Sequence, residues 1–119
     1  MTVSYWLLFL LGVLMSAAGG IFLKIGSADI QYEGGVTATA LQIALNWKIL
    51  LGMLMYFIPV LIWIFMLKKI DLSYLQPLFS LMYVVTPILA IFVLNEQVPT
   101  LRWFGIGVVA LGVLIIARS

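Results

Sequence analysis

The sequence predicts an all-α integral membrane protein of four transmembrane helices. Three observations lead there. Hydrophobic residues make up 66% of the 119 positions, against roughly 45–50% in an ordinary soluble domain. Charged residues make up 8%, where about 25% is usual. The apolar residues also fall into four runs of the length, roughly 20 residues, that crosses a bilayer. A soluble core of this size cannot absorb that much apolar surface, so the bilayer is the solvent for most of it. The runs are continuous rather than alternating with polar residues, which argues against a β-barrel.

The first span covers about residues 5–25. It carries no basic residue ahead of its apolar run, and three equally long runs follow, so it reads as a retained span rather than a signal peptide. The second covers about 47–67 and is followed by Lys68 and Lys69. Asn46 is placed to cap it, with Trp47 and Lys48 at the membrane interface. The third covers about 72–94, with Asp71 as its expected cap. The fourth covers about 100–117 and begins at Pro99, where a missing N–H costs nothing. The short connections predict antiparallel hairpins within a single domain. Only 26–46 is long. Gly34-Gly35 breaks it, and Val36, Ala40, Ile43 and Trp47 then recur at helical spacing. A short helix on the membrane surface and a mobile polar loop both fit.

Charge orients the chain weakly. Lys68, Lys69 and Arg118 fall on the side of the two chain ends, and Lys24, Lys48 and Arg102 on the other. The positive-inside rule works on the difference, which is zero. Either the chain inserts both ways and pairs with an inverted copy, or a partner orients it.

Polar residues inside the spans each ask for a reason. In the first span Gly12, Ser16, Gly20 and Lys24 fall four apart on one face. The bland reading is small-residue helix packing. Lys24 either snorkels to the interface or anchors an anionic headgroup. In the third span Ser73, Gln76, Ser80, Tyr83 and Pro87 follow steps of three and four. Pro77 and Pro87 cannot donate to the helical ladder and are the expected hinges. Such a face suits a polar cavity between helices, or interhelical hydrogen bonding with no ligand. Pro59 adds a possible hinge in the second span. In the fourth, Gly105 and Gly112 lie seven apart, with Gly107 nearby. That face admits a second helix closely. Four short helices can hardly enclose a polar path and eight can, so a dimer through this face is expected.

The absences exclude several functions. There is no cysteine and no histidine, so thiolate metal sites, Cys or His nucleophiles and a His base are out. No catalytic pair, cofactor site or metal site is recognisable. The net charge of +2 is scattered, with no cluster for a nucleic-acid backbone. Asp29, Glu33, Asp71 and Glu96 all fall outside the span interiors. Glu96 pairs with Arg102, caps, or is merely solvated. A proton-coupled exporter of organic cations needs an acid at mid-membrane, and none is available.

The segment Leu94-Asn95-Glu96-Gln97-Val98-Pro99-Thr100, followed by Trp103 to Val113 with its glycines, resembles the end of the repeat in the drug/metabolite transporter superfamily. Four helices in this length resemble its small-multidrug-resistance branch. Met15 to Gly19 through Lys24, and Tyr74 to Tyr83 around Pro77-Leu78-Phe79-Ser80-Leu81, resemble subunits of undecaprenyl-phosphate aminoarabinose flippases. The resemblance implies a flippase for a polyprenyl-phosphate-linked sugar in the inner membrane, working as a homodimer or as a heterodimer with a related small subunit. In the drug-exporting branch an essential glutamate stands where this chain has Ser16, a departure that fits the lipid-flippase group. The family's dimer contact would fall on Gly105 and Gly112. The expected substrate contacts are Lys24 on the phosphate, with Arg102 or Lys69 at a mouth, and Ser16, Gln76, Ser80 and Tyr83 along the path. Two alternatives stay open: an exporter of small cations or metabolites, and a non-transporting assembly subunit.

Overall fold

The computed structural model describes residues 2–119. Its helices are α1 (Val3–Ser27), α2 (Gly35–Leu45), α3 (Trp47–Leu67), α4 (Leu72–Leu78), α5 (Met82–Leu94) and α6 (Thr100–Arg118). A 3₁₀ turn, Phe79–Leu81, joins α4 to α5, and these three pieces make one apolar span, Leu72–Leu94. With α1, α3 and α6 it gives four helices long and apolar enough to cross a membrane.

Local chemistry sets the ends. The Asn46 side chain accepts from the N–H groups of Lys48 and Ile49 at 2.9 and 3.3 Å, which starts α3 as expected. Asp71 occupies the cap position of α4, but its carboxylate makes no capping hydrogen bond. Asn95 ends α5 in the left-handed conformation, φ 55°, which asparagine tolerates better than most residues. Gly35 opens α2 at φ +83°, a value that favours glycine. The stretch after Gly34 is therefore helical. No residue of α2 is buried, and none carries a charge.

α1 is the centre of the bundle. It packs along α3 and against the third span. Its contacts with α3 pair Tyr5 with Phe65, Gly19 with Gly52, and Gly26 with Ile49, so the two run in opposite directions. The hairpin expectation needs one change. α3 and the third span are consecutive, yet they are not packed along each other. α6 packs chiefly on the third span. All four spans meet in a core of Phe9, Val13, Met66, Leu75, Leu78 and Val113, toward the end that carries the 68–71 turn.

Pro77 and Pro87 sit inside α4 and α5, and the break falls between them. Pro77 has no N–H for the Ser73 carbonyl. Three residues on, the Ser80 hydroxyl donates to the Pro77 carbonyl, competing with the regular ladder. The chain tightens there into a 3₁₀ turn.

Candidate functional site

A crevice of about 200 Å³ opens where α1, α3 and the third span diverge. Ser16 lines it from α1. Tyr56, Pro59, Val60 and Trp63 line it from α3, and Gln76, Phe79 and Met82 from the third span. α6 contributes nothing. Gly12 lets the third span come close, since a Cβ there would stand 3.3 Å from the Phe79 ring. Phe79 is held in turn by an edge contact with Phe9, ring centroids 5.1 Å apart. Ser16 is 5% exposed, the one buried polar side chain among the described residues. Gln76 and Val60 are exposed and form the outer rim.

The structure brings two of the expected path residues together, Ser16 and Gln76. Ser80 and Tyr83 do not line the crevice. The 3₁₀ turn is the reason. It advances about 120° per residue where an α-helix advances about 100°, so steps of three now hold the crevice face, as in Gln76, Phe79 and Met82, and the step of four to Ser80 leaves it. The Ser80 hydroxyl is spent on the Pro77 carbonyl, and Tyr83 is 61% exposed.

Lys24 lies near the end of α1, where it is exposed. It lies two turns, about 12 Å, beyond Ser16. Arg102 is exposed in the first turns of α6. It forms no ion pair with Glu96; among the described residues the ion pair is Lys48–Asp29, at 3.0 Å. The expected dimer glycines Gly105 and Gly112 lie on an open face, where an added Cβ would meet nothing within 4 Å.

Sequence reasoning missed the α3 wall. Tyr56 and Trp63 stand seven apart, close to two helical turns, with Pro59 between them. Two aromatic side chains with polar tips on one face of an otherwise apolar run were the available signal. The Tyr56 hydroxyl lies over Gly20, 3.2 Å from where a Cβ there would sit.

All four carboxylates lie outside the helices. Among the described residues no group of His, Cys, Asp and Glu side chains is placed to hold a metal ion. What the arrangement offers is a laterally open, mainly apolar crevice whose wall includes four neutral side chains able to hydrogen-bond, Ser16, Tyr56, Trp63 and Gln76. It is the interior of a multi-pass membrane protein and contains no titratable acid.

The chain belongs to the EamA-like transporter family, whose model matches residues 37–118. It is therefore a membrane transporter by family. It is 27% identical over 112 residues to a probable 4-amino-4-deoxy-L-arabinose-phosphoundecaprenol flippase subunit ArnE of Pseudomonas fluorescens strain Pf-5, covering 94% of this chain and 96% of that one. The protein of the same description from P. fluorescens strain Pf0-1 is 32% identical over 59 residues, covering 50% of this chain and 52% of its own. No solved structure matches the chain.

Proposed function

We propose that this chain is a subunit of a flippase that moves a polyprenyl-phosphate-linked sugar across the inner membrane. The observation that carries the reading is the similarity to the Pf-5 flippase subunit over nearly the full length of both chains. The crevice supports it. Ser16 stands in the wall where a drug exporter of this size would need an acid, so proton exchange has no group to work on there.

In this reading the lipid chain stays in hydrocarbon and only the headgroup is shielded as it crosses. Unshielded polar groups in the bilayer interior set the barrier to spontaneous flipping. Ser16 and Gln76 supply hydrogen bonds at the crevice. Lys24, exposed near the end of α1, meets the phosphate on one side of the membrane. The third span, broken at Phe79–Leu81 between Pro77 and Pro87, supplies the hinge. A second small subunit, identical or related, packs on the bare α6 face and completes the enclosure. The transport needs no covalent step and assigns no catalytic residue.

The test is reconstitution in vesicles loaded with a polyprenyl-phosphate amino sugar. A membrane-impermeant amine reagent modifies only the outer-leaflet lipid in protein-free vesicles. With this chain, alone or with its partner subunit, modification should run toward completion. If it stops at the outer-leaflet share under both conditions, the flippase reading is wrong.

A further inference from the structure

A second cavity, about 580 Å³, lies outside the crevice at the end of the bundle where the 68–71 turn meets the start of α1 and the end of α6. Its polar lining comes from Thr2, Tyr5, Lys69, Asp71, Tyr74 and Ser119. Three of these side chains are engaged within the chain. The Tyr74 hydroxyl donates to the Ala117 carbonyl at 3.0 Å. Thr2 Oγ1 accepts from the Tyr5 N–H, and the Ser119 hydroxyl donates to the Ile116 carbonyl. Lys69 and Asp71 differ. Both are exposed on the cavity. Among the described residues neither enters an ion pair, and the Asp71 carboxylate caps nothing.

An ammonium and a carboxylate that line one polar cavity without pairing match a ligand bearing one anionic and one cationic group. We propose that this cavity binds a lipid headgroup carrying a phosphate and a primary amine. Lys69 takes the phosphate and Asp71 takes the ammonium. The inference rests on the flippase reading and gives the headgroup a place that the crevice does not provide. At about 200 Å³ the crevice is little larger than an apolar cavity of ~150 Å³ that accepts benzene. Its lining presents almost no polar surface to the several hydroxyls of a sugar, and each hydroxyl left unpaired carries its full desolvation cost.

The placement also matters. Tyr5 lines the cavity and Lys24 lies near the far end of α1, about 28 Å along the helix. That is close to the ~30 Å of a hydrocarbon core. The cavity therefore faces one side of the membrane and Lys24 the other, one headgroup station at each end of the path. Two kinds of lipid carry the phosphate–amine pair, an amino-sugar polyprenyl phosphate and an ethanolamine phospholipid.

Native mass spectrometry of the full chain, titrated with phosphatidylethanolamine and phosphatidylglycerol of equal acyl chains, tests the proposal. The wild type should bind the ethanolamine lipid about fivefold more tightly, the scale of one exposed charge contact. Asp71→Asn should bring that ratio to one while leaving the glycerol lipid as tightly bound or tighter. Lys69→Gln should weaken both. Asn is a good N-cap residue and both sites are exposed, so an unchanged thermal midpoint should accompany each variant. A ratio of one in the wild type, or a ratio that survives Asp71→Asn, overturns the proposal. Undecaprenyl phosphate as competitor separates the sources. Displacement of the ethanolamine lipid supports the site as a station for the transported carrier. Persistence supports it as a site for bulk phospholipid. If the vesicle assay fails while the Asp71-dependent ratio holds, transport falls and the site stands; the converse result removes the site alone.

Discussion

Two parts of the molecule use glycine in opposite ways. Where α1 crosses α3, Gly19 and Gly52 face each other so closely that a Cβ on Gly52 would stand 2.9 Å from the Gly19 carbonyl oxygen and 2.9 Å from Leu23 Cγ. On α6, a Cβ at Gly105, Gly107 or Gly112 would meet nothing within 4 Å. Around those three glycines Leu101, Phe104, Val108, Leu111 and Leu114 are exposed, and Val113 is the one buried residue of the helix. The first pair of glycines is consumed by the fold of this chain. On α6, Gly105 and Gly112, seven apart, share one face and leave a groove that the fold does not use. Exposure alone does not demand a partner, because lipid tails are as apolar as leucine. A strip without side chains is different, since it leaves acyl chains less to contact and a helix more.

The largest expected effect lies at the crossing. Gly52→Ala should destabilise the chain by about 1–3 kcal/mol, the usual range for overpacking. The atom it strikes on Gly19 is backbone and cannot rotate away. Thermal unfolding in detergent measures this, and an unchanged midpoint would show that the crossing is looser than the contact implies. Gly26 is a second test of the same seam, because its Cβ would meet both Ile49 Cγ1 and the Ile49 backbone nitrogen, and a buried β-branched side chain in a helix is stiff at χ1.

These two uses of glycine also mark what the sequence can say. Apolar run length reveals the four spans because bilayer thickness fixes it, and Asn46 announces its helix because capping is local. Spacing groups Gly12, Ser16 and Gly20 toward the neighbouring spans because α1 is unbroken. The same rule fails in the third span. There Ser80 bonds the Pro77 carbonyl and the turn changes pitch, which spacing alone cannot anticipate. Likewise Gly19 and Gly105 are the same letter in similar company. Only the path of the neighbouring helices decides which one is covered. The divergence of α3 from the third span, and with it the crevice wall at Tyr56 and Trp63, belongs to that tertiary level too.

Transport should respond next. Gln76→Ala removes a rim side chain whose hydrogen bond is worth about 0.5–1.5 kcal/mol, so the flipping rate in vesicles should fall roughly twofold to thirteenfold. Tyr83→Phe, outside the crevice, should leave the rate unchanged. Equal losses for both would place the path elsewhere. On α6, Gly112→Leu should leave the isolated chain as stable or more stable, since leucine is the better helix former by roughly 0.5–1 kcal/mol and meets no obstruction within the chain, while cross-linking between subunits in the membrane drops. If cross-linking persists, the bare groove faces lipid and the contrast with the crossing is one of packing alone.

The smallest effect sharpens the contrast at the far end of α1. The Asp29 carboxylate accepts from Lys48 Nζ at 3.0 Å and Asn46 Nδ2 at 3.3 Å, which ties the segment after α1 to the first turn of α3. The Lys48 hydrogen bond first, then the Asn46 bond, then the Lys48 charge hold this carboxyl below its ordinary value of 3.8. A folded value below the unfolded one means the tie is fully present above about pH 4 and is lost as pH falls through the folded value. Acidification from neutral should therefore leave the segment's resistance to limited proteolysis unchanged until below about pH 4, and then reduce it. Asp29→Asn should remove that acid step. Because the pair is exposed, raised salt should weaken the tie as well, whereas the uncharged Gly19–Gly52 crossing should be indifferent to both salt and pH. A step that survives Asp29→Asn would assign it to another carboxylate in the loops.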